Sequence, residues 1–274
     1  MIDTLRSNTR SNYNSLQTRL EKRFSHGLQF EAAYTYSHSL DDASSASLGS
    51  ANNGDFRDQT NPNLEYANSD FDIRHRFVLS YMYDLPFGRG KLLGKSASGV
   101  LNQFIGDWQL AGIFSAATGN WYTVSDTNNP GGADSGGTVA WNSARPNLVP
   151  GQNPNGKPCA TAGAGALFNT CAFSDLAPAV QPGTFGNAGR NIVLGPGYKT
   201  WDTSLIKQFP VHEQMHFEFR AEVFNILNHV NYLFQQFGAI SVEPTSLELG
   251  SGSLGQPQAA RNPREIQLAL KFYF

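Results

Sequence analysis

Six connectors of alternating length divide the chain into seven segments of alternating hydropathy, and that rhythm limits its fold more than any single motif does. The segments are residues 12–24, 28–37, 72–85, 107–117, 200–209, 215–225 and 264–274. Apolar side chains recur in them at about every second position, the period of a strand with one apolar and one polar face. The connectors, 25–27, 38–71, 86–106, 118–199, 210–214 and 226–263, run short, long, fairly short, very long, short, long. A membrane barrel imposes that order, with tight turns on the periplasmic side and long loops outside. A two-sheet sandwich has no reason to alternate. A loop as long as 118–199 would count against the strand assignment in a compact soluble domain, whereas extracellular barrel loops are the standing exception. The expected fold is all-β: an antiparallel up-and-down transmembrane β-barrel segment of about seven strands, an incomplete barrel with long extracellular loops.

The terminal segment shows the pattern most cleanly. Ile266, Leu268, Leu270, Phe272 and Phe274 fill one face, and Gln267, Ala269, Lys271 and Tyr273 the other. Its length matches the roughly 9–11 residues of a tilted membrane strand. The first two segments read as a hairpin about Ser25-His26-Gly27, with Gly27 free to take a positive φ. Tyr34 and Tyr36 end the second apolar face as an interfacial girdle would. In the fourth segment Trp108, Leu110, Ile113 and Phe114 do not share one parity, which predicts a bulge or register change near Gly112. On the polar faces Arg19, Glu21, Glu31, Glu218, Arg220 and Glu222 alternate in sign, as a hydrated lumen wall would, or any wet sheet face with cross-strand pairs.

Composition excludes several classes. A net charge of -2 gives no global attraction to nucleic acid. No run approaches the roughly 18 apolar residues of a membrane helix. The N-terminus lacks a signal peptide's basic start and apolar core, so the expectation for an exported chain is a fragment whose export signal lay upstream. Cys159 and Cys171 lie in a Gly/Ala/Asn-rich stretch and are expected to form a local disulfide pinning an exposed loop in an oxidising compartment, the alternative being two free thiols.

Enzyme chemistry is not expected, since the chain carries no Gly-x-Ser-x-Gly, His-Glu-x-x-His or phosphate loop, and no metal or other cofactor is implied. Asp41, Asp42, Asp70, Asp72, Arg74, His75 and Arg76 cluster at the outer ends of strands two and three. They read as a solvated rim with local ion pairs, with a calcium or ligand site as the sharper alternative. His212 and His216 flank a turn without an evident third metal ligand. Trp121, Tyr122 and Trp141 read as loop packing, or as the platform of a glycan-binding module were the chain a soluble sandwich.

Six stretches carry a family resemblance: Asn-Tyr-Asn-Ser-Leu-Gln-Thr-Arg-Leu-Glu-Lys-Arg-Phe (12–24), Ala-Tyr-Thr-Tyr-Ser-His-Ser-Leu-Asp-Asp (33–42), Asp-Ile-Arg-His-Arg-Phe (72–77), Asp-Leu-Pro-Phe-Gly-Arg-Gly (84–90), Phe-Arg-Ala-Glu-Val-Phe-Asn-Ile-Leu-Asn-His (219–229) and the aromatic C-terminus. In this order they resemble the C-terminal barrel part of a TonB-dependent outer-membrane receptor, in particular the Oar-like group with a carboxypeptidase-regulatory-like N-terminal domain. The resemblance implies that residues 1–274 are the C-terminal part of a larger barrel domain in the outer membrane of a Gram-negative bacterium. It implies as partners outer-membrane lipid, the remaining strands and plug, the TonB complex acting through an N-terminal box, and the barrel-assembly machinery, which would read the aromatic-ended strand. The extracellular ligand is left unnamed, because specificity lives in loops and plug. Transport by this polypeptide alone is not expected. A structural or adhesive surface protein is the competing function.

Overall fold

The computed structural model describes residues 9–44, 61–126, 145–174, 186–212, 215–234, 246–249 and 254–274. Seven long strands build one antiparallel sheet in chain order: β1 (Ser11–Ser25), β2 (Leu28–Asp41), β3 (His75–Asp84), β4 (Trp108–Ala117), β5 (Tyr198–His212), β6 (Met215–Phe224) and β7 (Glu265–Tyr273). The short strand Ala67–Asn68 pairs with the loop end of β2. Every neighbouring pair is antiparallel, so the short connectors share one end of the sheet and the long ones the other.

Register makes the two faces continuous. Leu20 opposes Ala32, Ala32 opposes Leu79, Leu79 opposes Phe114, Phe114 opposes Trp201, and Ala221 lies between Leu205 and Leu268. A slip of one residue would move the whole apolar set to the other face. The apolar face of this sheet is not a packed core, since Leu16, Leu20, Ile266, Leu268 and Leu270 on it are all exposed.

Two details depart from the sequence reading. The β1–β2 turn has two residues, both at positive φ, His26 at 52° and Gly27 at 76°, as a right-twisted hairpin requires. No bulge occurs at Gly112: the β3–β4 and β4–β5 registers run unbroken through it, and Ile113 simply faces the polar side. Gly112 serves close approach instead. A Cβ there would lie 2.6 Å from the Tyr81 hydroxyl, which crosses above it to meet Trp201 Nε1 at 3.0 Å and Thr203 Oγ1 at 3.2 Å. Three polar groups on an apolar face thereby satisfy one another. The register shifts lie near the turn end, between Lys22 and Ser25 and between Pro210 and His212, where a proline without an N–H is tolerated.

The long connectors are not structureless. Trp121–Asp126 pairs with Val193–Leu194 and, in parallel, with Ser246–Leu249. Beside them Val124, Phe168, Ala172, Phe173, Ala188, Val193, Phe234 and Leu249 form a buried apolar cluster, Phe168 meeting Phe173 and Phe234 edge to face. All these residues come from the connectors. The loops therefore fold around a core of their own at the loop end of the sheet.

Candidate functional site

Two regions carry the polar chemistry: one face of the sheet, and its loop end. On the polar face Arg19 reaches Glu31 at 2.9 Å and Glu21 at 3.3 Å, bridging carboxylates that stand directly opposite each other across β1 and β2. Arg220 does the same along β6, with Glu218 at 3.0 Å and Glu222 at 3.6 Å. In each triad one guanidinium relieves two acids whose proximity would otherwise be unfavourable. The two triads do not meet, since β3, β4 and β5 lie between them. At the loop end of this face a cleft of about 700 Å³ is lined by Thr200, Asp202, Asn225, Arg261, Glu265 and Gln267, among others.

The acidic cluster at the strand ends is not a solvated rim. Asp41, Asp42 and Asp72 are buried, and each has its own cation. Arg190 donates to the Asp41 carboxylate and, at 2.6 Å, to its backbone carbonyl; it also reaches the Glu65 carbonyl at 3.0 Å and Ser44 Oγ at 3.1 Å. Arg10 takes Asp42 through Nε and Nη2, both at 3.2 Å, and this bond raises the Arg10 pKa. Asp72 accepts from Arg74 at 2.7 Å, the Ser39 amide at 2.7 Å and Trp121 Nε1 at 3.0 Å. Arg145 and Glu65, both almost wholly buried, form a further pair. Asn191 ties Asn68 to Thr123. Charges out of water persist only when paired and hydrogen-bonded, and here the pairing fastens the loops to the ends of β2 and β3.

Other anticipated residues separate. Among the described residues no cluster of His, Cys, Asp and Glu is suited to a metal, so the calcium alternative gains no support. Arg76 remains exposed, and His75 turns to the apolar face, its Nδ1 2.8 Å from the Tyr34 hydroxyl. His216 stacks on Tyr273, with ring centroids 4.7 Å apart. The His212 side chain and Trp141 lie outside what the structure describes. Trp121 and Tyr122 form no open platform: Trp121 is bonded to Asp72, and Tyr122 packs edge-on against Phe234, where burial raises its phenol pKa. Cys159 and Cys171 are joined in a disulfide beside that loop core.

Sequence reasoning missed Arg145, Arg190 and Asn191. A usable signal was present: the two arginines are isolated cations in a Gly/Ala/Asn-rich stretch of few charges, where an unpaired charge would have no reason to fold. It also missed the role of the Asn-Ile-Leu-Asn-His stretch. Asn225, at φ 49°, takes the Asp202 carboxylate at 2.8 Å through its amide, and its side chain closes a turn onto His229.

A family model described as an outer membrane beta barrel domain matches residues 1–267. The chain belongs to this barrel family. No curated protein and no solved structure gives a match. Membership assigns the protein to the outer membrane of a Gram-negative bacterium and its apolar sheet face to lipid; the loop end is then extracellular and the turn end periplasmic. Lys207 also stands on the lipid face, in register between Trp108 and Phe219. It is wholly buried beneath the connector after β3, its Nζ donating to the Gly106 carbonyl and lying 5.0 Å from the Phe209 ring centroid.

Proposed function

We propose that this barrel chain is part of the wall of a TonB-dependent outer-membrane receptor, contributing lipid-facing strands, a polar lumen face and extracellular ligand-binding loops. The observation that carries the reading is the division of labour along one sheet: an apolar face for lipid, an opposite face with two Glu-Arg-Glu triads, and a folded loop layer fastened over one end. The resemblance of six ordered stretches to Oar-like receptors supports it. Among the described residues β1 and β7 form the two edges of the sheet. Unpaired edges are unsatisfied in lipid, so this reading places further strands beside this chain, and the resemblance to Oar-like receptors adds a plug and the barrel-assembly machinery as reader of the terminal strand.

The competing reading is a structural or adhesive surface protein, favoured by one observation, the disulfide-stapled loop core, which would suit a partner-binding surface equally well. A Glu222→Cys variant of the gene's full product separates the two. Its labelling from outside the cell by an impermeant maleimide should depend on TonB and the proton-motive force if a plug moves against this wall. Labelling that is identical with and without TonB would overturn transport and leave the adhesive role.

A further inference from the structure

The periplasmic connector between β3 and β4 is a built element with an unusual surface. Residues 86–106 contain Arg89, Lys91 and Lys95 and no acidic residue. Gly88, Gly90 and Gly94, all at positive φ, fold its first half back so that Phe87 bridges to Leu93. The second half is a helix, α1 (Gly99–Ile105). Asn102 joins the halves: its side chain accepts from the Arg89 amide at 2.5 Å, and its carbonyl accepts from Gly106 at 2.8 Å. This fixed scaffold holds apolar side chains in the open, with Leu92 80%, Val100 73%, Leu101 51% and Phe104 68% exposed. Val100, Leu101 and Phe104 are spaced to share one helix face.

The position of α1 is set by residues of the lipid face. Trp108 opposes Lys207 in the β4–β5 register, on the same side of the sheet as Leu205 and Phe209. Its indole donates to the Phe104 carbonyl at 2.8 Å, and Lys207 donates to the Gly106 carbonyl. The helix C-terminus is thus bonded to the lipid-facing side of the sheet near its turn end, while its apolar residues stay exposed. An apolar helix face beside a cluster of cations is how a segment lies in a bilayer interface, with side chains at the acyl boundary and charges at headgroup phosphates.

We propose that residues 86–106 form a foot that embeds α1 in the periplasmic leaflet, with Arg89, Lys91 and Lys95 engaging anionic phospholipid headgroups. The proposal rests on the apolar sheet face being the lipid face, and the test separates the two. The full protein is reconstituted in vesicles of phosphatidylcholine with or without phosphatidylglycerol, carrying one bimane probe at Leu101→Cys, Phe104→Cys, Ser96→Cys or Leu270→Cys. Bromolipid should quench the Leu101, Phe104 and Leu270 probes while iodide reaches mainly Ser96. Phosphatidylglycerol should deepen the two helix probes, and the combined Arg89→Gln, Lys91→Gln, Lys95→Gln variant should abolish that difference.

Iodide quenching of Phe104 as strong as that of Ser96, with Leu270 still in lipid, would overturn the foot and leave the barrel standing. Shielding of Phe104 from both quenchers would mean that protein covers it, which also overturns the foot. Equal helix depth in the two lipid mixtures would remove the headgroup contacts. Iodide quenching of Leu270 itself would bring down both readings.

Discussion

Single residues in this barrel act mostly through what they keep out of water or out of contact. Arg190 is the clearest case, since Asp41 is buried and Arg190 lies 149 residues away in sequence. Replacing Arg190 by Ala leaves that carboxylate uncompensated, a change that typically costs about 3–5 kcal/mol. The loss should stay at the loop end: protease should cut the extracellular loops of Arg190→Ala far faster than those of the parent, while the strands remain protected, and Arg190→Lys should rescue only part, because a lysine cannot serve Asp41, Glu65 and Ser44 together. Equal cutting of Arg190→Ala and parent would show the pairing to be idle. Such a pair is illegible in sequence because nothing local announces it. Gly112 illustrates a milder limit: a glycine within a strand signals either a bulge or a close approach, and only the position of Tyr81 on the neighbouring strand decides for the second.

At the scale of the element, the strands were the most legible part, and the reason is physical. A strand between lipid and a polar face needs opposite chemistry at successive residues, so its pattern is written locally and survives without knowledge of its partners. The loops obey no such local rule; their core is assembled from Val124, Phe168, Phe234 and Leu249, far apart in the chain. The same logic yields a paired prediction on β7. Leu270→Arg places a charge on the lipid face opposite Phe219 and should cost about 2–4 kcal/mol if it sits near the bilayer midplane. Gln267→Lys lies on the other face, opposite Glu222, and should be close to neutral. Heat-modifiability of the membrane-inserted protein on gels measures both, and equal tolerance of the two would contradict the assignment of faces.

For the whole molecule, the described residues divide into two differently stabilised layers. The sheet has no buried apolar cluster of its own and relies on its ladder of backbone bonds and on lipid. The loop layer resembles a small soluble domain, with an apolar core, buried ion pairs and a disulfide between cysteines 12 positions apart. Small exported domains use such staples where the core is modest, and a short closed loop of this kind contributes about 2–4 kcal/mol. The two layers meet at the buried carboxylates of Asp41, Asp42 and Asp72. Losing the staple should therefore loosen the outer layer without unfolding the sheet. In the double Cys159→Ser, Cys171→Ser variant, protease added from outside should trim the loop layer, while β-sheet circular dichroism and heat-modifiability match the parent. Reductant applied to the parent should give the same fragments. If the sheet melted together with the loops, the layers would be one cooperative unit, and the loops would support the barrel rather than ride on it.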